Sequence, residues 1–156
     1  MFAIRTAFLG AVGAVLLASP ASAATEEWRG GVYLTAETPA CAEDGYQDRE
    51  YVNVRYRPKG LGDNGPDSRI SFFHPLFFAT SYRRTGNFTK SYKPVQGGGM
   101  SASVWAFENT PRLKLKQSPA RLKPSTPSVY ITGVIRNYGD YVGCTMSFEG
   151  SLTKRP

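Results

Sequence analysis

A single histidine, His74, occurs in the chain, within Phe72-Phe73-His74-Pro75-Leu76-Phe77-Phe78. An imidazole among phenylalanines can act as a buried general base or a haem ligand. Either role needs partner groups brought to it by the fold. The competing reading is a strand end turned by Pro75, with the ring hydrogen-bonded at the rim, and this is the one we expect. A nucleophile-elbow hydrolase would carry Gly-x-Ser-x-Gly, which is absent. A Cys-His site needs a free thiol. The only two cysteines, Cys41 and Cys144, are expected to form one structural disulfide. It would close a loop spanning most of the chain, worth about 4–5 kcal/mol in the chain-entropy model.

Metal chemistry has little support. Zinc takes several His, Cys or carboxylate ligands, and the chain has one histidine, two paired cysteines and no His-Glu-x-x-His. Asp63-Asn64-Gly65-Pro66-Asp67 looks like the start of a calcium loop but lacks the glutamate that closes one. With Gly60 and Gly62 beside it, the segment reads as a turn. Gly97-Gly98-Gly99 is followed by Met100-Ser101, not by the Gly-Lys-Ser/Thr of a phosphate loop, and reads as a flexible turn. No cofactor is expected. Of the twelve acids, nine crowd into residues 24–67 beside Gly, Pro or other charges, as on a solvated surface. Glu149 stands apart, on a strand face opposite Met146 and Phe148.

The strongest surface signal is basic and aromatic interleaving. Tyr82-Arg83-Arg84 is followed by Phe88, Lys90, Tyr92 and Lys93, then by Arg112, Lys114, Lys116, Arg121 and Lys123. Such residues bind phosphates and sulfates through charge, while the rings stack on sugars or bases. They also serve as a plain solvated surface. The candidate anion-binding set is Arg83, Arg84, Lys90, Lys93, Arg112, Lys114 and Lys116. Arg83 and Arg84 are adjacent, so in a regular strand they point to opposite faces. Arg112, Lys114 and Lys116 share one face and form the better cluster.

These side chains need elements to hold them, and period-two alternation supplies them. Val32, Leu34 and Ala36 alternate with Tyr33, Thr35 and Glu37; Val52, Val54 and Tyr56 with Asn53, Arg55 and Arg57; Ile70, Phe72 and His74 with Arg69, Ser71 and Phe73. The pattern recurs at 102–107, at 129–136, and in Val142, Cys144, Met146, Phe148 and Leu152. Further strands are expected over 76–84 and 112–117. Residues 85–99 read as a long hairpin loop, 108–127 as an irregular or edge region, and 40–48 as room for a short helical turn. No long helical stripe free of Pro or Gly interrupts the series. The expectation is an all-β domain, a small antiparallel β-barrel or β-sandwich of about seven or eight strands with one disulfide. A barrel would pair the first strand with the last and bring Cys41 to Cys144.

Composition agrees. With 41% hydrophobic and 13% aromatic residues among 156, the chain has too much apolar surface for wholesale disorder. Residues 1–23 read as a secretory signal peptide: Arg5, an apolar run from Ala7 to Ala18, then Ala21-Ser22-Ala23. Cleavage is expected before Ala24, leaving a single domain over 24–156 with no membrane span, periplasmic or secreted, in a bacterial envelope setting. Residues 24–67 hold nine acids and five bases, while 68–156 hold three acids and thirteen bases. That asymmetry either cancels internally or leaves a basic face for an anionic partner. Expected partners are an anionic glycan, a lipid headgroup or an envelope protein. Nucleic acid is not expected for an exported chain. Trp28 with Gly30 and Gly31 lacks the Gly-x-Trp order of lipocalins, so no family is assigned. The expected function is non-enzymatic binding of an anionic or amphipathic ligand. The alternatives are an inhibitor or structural envelope protein without a ligand pocket, and a hydrolase using His74.

Overall fold

A computed structural model describes residues 25–43, 45–46, 48–74, 79–89, 92–99 and 109–155. The expected leader, the cleavage site, Pro75, Lys90 and the strand at 102–107 lie outside the described residues. The chain folds as a nearly closed, barrel-like antiparallel sheet. Its strands are β1 (Glu27–Ala36), β2 (Glu50–Arg57), β3 (Asp67–Phe73), β4 (Ala79–Thr85), β5 (Lys93–Pro94), β6 (Gln96–Gly99), β7 (Arg112–Ser118), β8 (Ser128–Arg136) and β9 (Thr145–Arg155). The order across the sheet is β5-β7-β8-β9-β1-β2-β3-β4-β6. The first strand pairs with the last along its full length, from Glu27 opposite Arg155 to Ala36 opposite Met146.

Alternation sets which side faces in. Val32, Leu34, Val52, Val54, Tyr56, Ile70 and Phe72 are buried, as are Leu113, Leu115, Val129, Ile131, Met146 and Leu152. Trp28, Tyr56, Phe72, Tyr82 and Tyr138 are the bulkiest side chains filling the interior. Burial of such large apolar surface is the main stabilising contribution. Trp28 Nε1 donates to the Thr126 carbonyl at 3.1 Å, and Tyr56 donates to Gln117 at 2.9 Å. The buried rings thus satisfy their polar tips, as interior Trp and Tyr must.

Cys41 and Cys144 are bonded, with Cα atoms 4.6 Å apart across a sequence separation of 103. Cys41 lies in the short helix α1 (Pro39–Glu43), which begins at a proline suited to a first helical position. Thr38 donates through its hydroxyl to the Gly143 carbonyl at 2.8 Å and accepts from the Thr145 amide at 3.0 Å. The two cysteine-bearing segments are therefore joined by hydrogen bonds as well as by the disulfide.

Three expectations are corrected. Residues 85–99 are not one hairpin loop: β5 pairs with β7 and β6 with β4, with only Val95 between them, so this stretch brings the two sheet edges together. Gly97–Gly99 is strand rather than turn, because the β4 edge offers backbone groups that need partners. Val142 does not begin the last strand. It is 70% exposed in the turn before β9, where Asn137, Gly139, Asp140 and Gly143 all take positive φ that no strand permits. Two of the nine strands, β5 and β6, account for the count above the expected seven or eight. The β4 strand reaches Thr85, one residue past the expected end, and the strand expected over 112–117 is β7, which runs one residue further to Ser118.

Candidate functional site

The alternation that buries Leu113 and Leu115 turns Arg112, Lys114 and Lys116 outward from β7. Across the register, Arg112 lies opposite Arg136, Lys114 opposite Val134 and Lys116 opposite Thr132. Tyr92 lies beside this row. The Lys114 ammonium is 5.7 Å from its ring centre and the Arg136 guanidinium 4.7 Å, both within cation–π range. Lys114 and Lys116 form one wall of an open groove of about 600 Å³ on the outer surface. Thr35, Thr132, Val134 and Ser147 lie along it, and Tyr33 and Glu37 line its β1 side. The positions are successive register partners on β1, β9, β8 and β7: Thr35 faces Ser147, Ser147 faces Val134, and Val134 faces Lys114.

The groove is not uniformly basic. Glu37 accepts a hydrogen bond from the Ser147 hydroxyl, and Glu149 accepts one from Tyr130 at 3.1 Å. The bond to Glu149, with burial and the nearby carboxylate charge adding to it, raises the Tyr130 hydroxyl above its ordinary range. Tyr33 is 42% and Tyr51 55% exposed. Their rings meet edge to face at 5.3 Å, with Arg49 over Tyr33 at 4.9 Å.

The structure does not gather the six described candidate bases on one face. Lys93 is exposed opposite Leu113, out of phase with Lys114. Arg83 belongs to β4, far along the sheet order, where it donates to Gln96 at 2.7 Å and lies 3.7 Å from Asp67. Arg84 points the other way and is half-buried, its Nη1 without a hydrogen-bond partner. Arg121 and Lys123 are exposed in the β7–β8 connection.

A second basic set went unnoticed in the sequence. Arg57 faces Arg69, Arg69 faces Arg83, and Arg29 faces Arg55. Arg29 and Arg57 both contact Glu27. Burial opposes ionisation of Glu27 most strongly, yet hydrogen bonds and charge from the two arginines together hold its carboxyl below the usual range. The signal that could have revealed this set is alternation itself: Arg55, Arg57 and Arg69 occupy the outward phase of their strands. Arg55 and Arg57 sit in the acid-rich half of the chain and Arg69 just past its end, which concealed the set.

His74 is 6% exposed. Its Nδ1 is 3.4 Å from Glu50 and its Nε2 is 2.7 Å from the Tyr138 hydroxyl. A carboxylate only accepts, so the proton sits on Nδ1 and Nε2 accepts from Tyr138. Burial holds the imidazole below its ordinary value against the opposing pull of Glu50. Burial also pushes the Tyr82 and Tyr138 hydroxyls well up, keeping them protonated donors. Tyr46 packs on Tyr138 at 5.0 Å. Among the described residues, no three His, Cys, Asp or Glu side chains gather as a metal site, and no helix is long and apolar enough to cross a membrane. No family model, curated protein or solved structure matches the chain.

Proposed function

We propose that this protein is an exported, non-enzymatic binding module that takes an anionic glycan in the outer groove between Lys114–Lys116 and Tyr33. The observation that carries the reading is Lys114 and Lys116 together with Tyr92 in the groove lining, with Arg136 also over the Tyr92 ring. Hydroxyls of Thr35, Thr132 and Ser147 lie within reach of the same groove. Ammonium and guanidinium groups suit sulfates and carboxylates, hydroxyls suit sugar hydroxyls, and exposed tyrosines suit the flat faces of sugar rings. Regular strands hold all of these except Tyr92, which lies next to the first residue of β5, so little ordering entropy remains to be spent on binding. The disulfide is compatible with export to the periplasm or beyond the cell, where thiols oxidise. We read His74 as a structural group, since both its nitrogens are engaged and the ring is buried.

Immobilised heparin and lipopolysaccharide serve as probes of anionic polysaccharide. Binding at low salt is expected to fall steeply between about 0.01 M and about 0.15 M ionic strength. The charge reversal Lys114→Glu with Lys116→Glu is expected to weaken it more than His74→Ala does. Equal binding by the double reversal and the parent excludes the groove. A hydrolytic activity abolished by His74→Ala would replace this reading with the enzyme.

A further inference from the structure

We infer that the outer face of β2 and β3 carries a second binding site, built for one phosphate or sulfate oxyanion borne on a larger molecule. It lies on other strands than Lys114 and Lys116 and does not rest on the groove. Arg55, Arg57, Arg69, Ser71 and Phe73 surround a depression of about 100 Å³, closed on its β1 side by Glu27. That size admits a single oxyanion and leaves the rest of the ligand outside.

The arrangement is costly without a ligand. Arg57 lies directly opposite Arg69, and Arg69 directly opposite Arg83, on three adjacent strands. Like charges directly opposite on paired strands destabilise a sheet. Two carboxylates relieve part of the repulsion: Glu27 takes Arg57 and Arg29, and Asp67 lies near Arg83. Asp63 borders the next depression, beyond Arg69. Arg69 has no ion pair among the described residues, and it lines both depressions. Arg55 has a ring, not a carboxylate, for a neighbour, with its guanidinium 4.8 Å from the centre of Phe73.

The donors suit an oxyanion. Each guanidinium offers five N–H groups in a fixed fork. Glu27 engages Arg57 at Nε, 2.5 Å away, so the other N–H groups of that fork remain for a ligand. The Ser71 hydroxyl accepts from Ser81 at 2.8 Å, which leaves its own proton to donate. Phe73 gives the rim a flat apolar surface, against which a sugar or acyl portion next to the oxyanion can lie. Tetrahedral oxyanions with several acceptor oxygens use converging arginines better than a single carboxylate does.

The test titrates inorganic phosphate, glucose 6-phosphate and vesicles containing phosphatidylglycerol separately into the protein at low ionic strength. Calorimetry reads affinity, and the unfolding temperature reads stabilisation of the folded state. The parent binds at least one probe, and Arg55→Gln with Arg69→Gln weakens that binding by about tenfold or more. Glucose 6-phosphate tighter than inorganic phosphate points to a sugar-borne oxyanion; vesicles alone, lost in the same variant, point to a lipid headgroup. Both substituted residues are exposed, so the variant keeps the parent's unfolding temperature or exceeds it. Repeated at about 0.15 M ionic strength, where separated surface charges are screened, Lys114→Glu with Lys116→Glu leaves inorganic phosphate binding within about twofold. The inference is overturned if the parent binds no probe, or if the arginine variant binds as tightly as the parent.

Discussion

His74 is held by a carboxylate on one nitrogen and a buried phenol on the other. Because burial lowers its proton affinity, the unfolded chain takes up a proton at higher pH than the folded chain does. Stability present above about pH 6.5 is therefore lost as pH falls toward the folded-state value. The unfolding temperature of the parent should drop between about pH 7.5 and about pH 5.5, and His74→Gln should flatten that drop. Parallel curves for the two proteins would show that His74 does not titrate across folding. Glu27 acts lower on the scale: its depressed carboxyl contributes stability that disappears as pH falls below its ordinary value of 4.5. At this scale the sequence was informative where chemistry is local. Lys114 and Lys116 alternate with buried leucines, and their common outward face could be read directly. The row Arg57, Arg69 and Arg83 could not, because it depends on the register in which three consecutive strands pair.

The elements that build the groove depend on close backbone approach. A Cβ at Gly133 would stand 2.2 Å from the Phe148 ring and 2.6 Å from the Lys114 carbonyl. Gly133→Val should therefore destabilise the protein by about 1–3 kcal/mol, as overpacking in a filled interior does, and should loosen the β7–β8 side of the groove. A thermal or denaturant melt checks this, and an unchanged midpoint would contradict it. Reduction of the Cys41–Cys144 bond, or Cys144→Ser, should lower stability by up to about 4–5 kcal/mol through release of the long loop. Melts with and without reductant give the comparison. The inward phases of β1, β2, β3, β8 and β9 were legible because each alternates over many residues. By contrast, β5 is two residues long and β6 mostly glycine. Neither carries an apolar period, and their strand character comes from the edges they meet. Val142 misled because it continues the phase of Cys144 and Met146, while the positive φ values around it are visible only in the folded backbone.

Across the whole molecule, the acid-rich and base-rich halves interleave. Glu26 pairs with Lys154 at 2.6 Å, and Asp67 lies near Arg83, so part of the charge asymmetry cancels inside the fold. Much of the remainder lies on two outer surfaces, the lysine groove over β7–β8–β9–β1 and the arginine row over β2–β3–β4. This division follows from the sheet order, in which β7, β8, β9 and β1 are successive neighbours and β2, β3 and β4 follow them, and no linear charge count could reveal it. Interior positions are given to large aromatic side chains, so the proposed binding falls to the outer surface. The most direct measurement is a titration of isotopically labelled protein with a heparin hexasaccharide, followed by amide chemical shifts. Binding in the outer groove predicts the largest changes at residues 112–116, 132–136, 145–149 and 33–37, all abolished by Lys114→Glu with Lys116→Glu. Unmoved amides throughout these four segments, with or without shifts elsewhere, would contradict it.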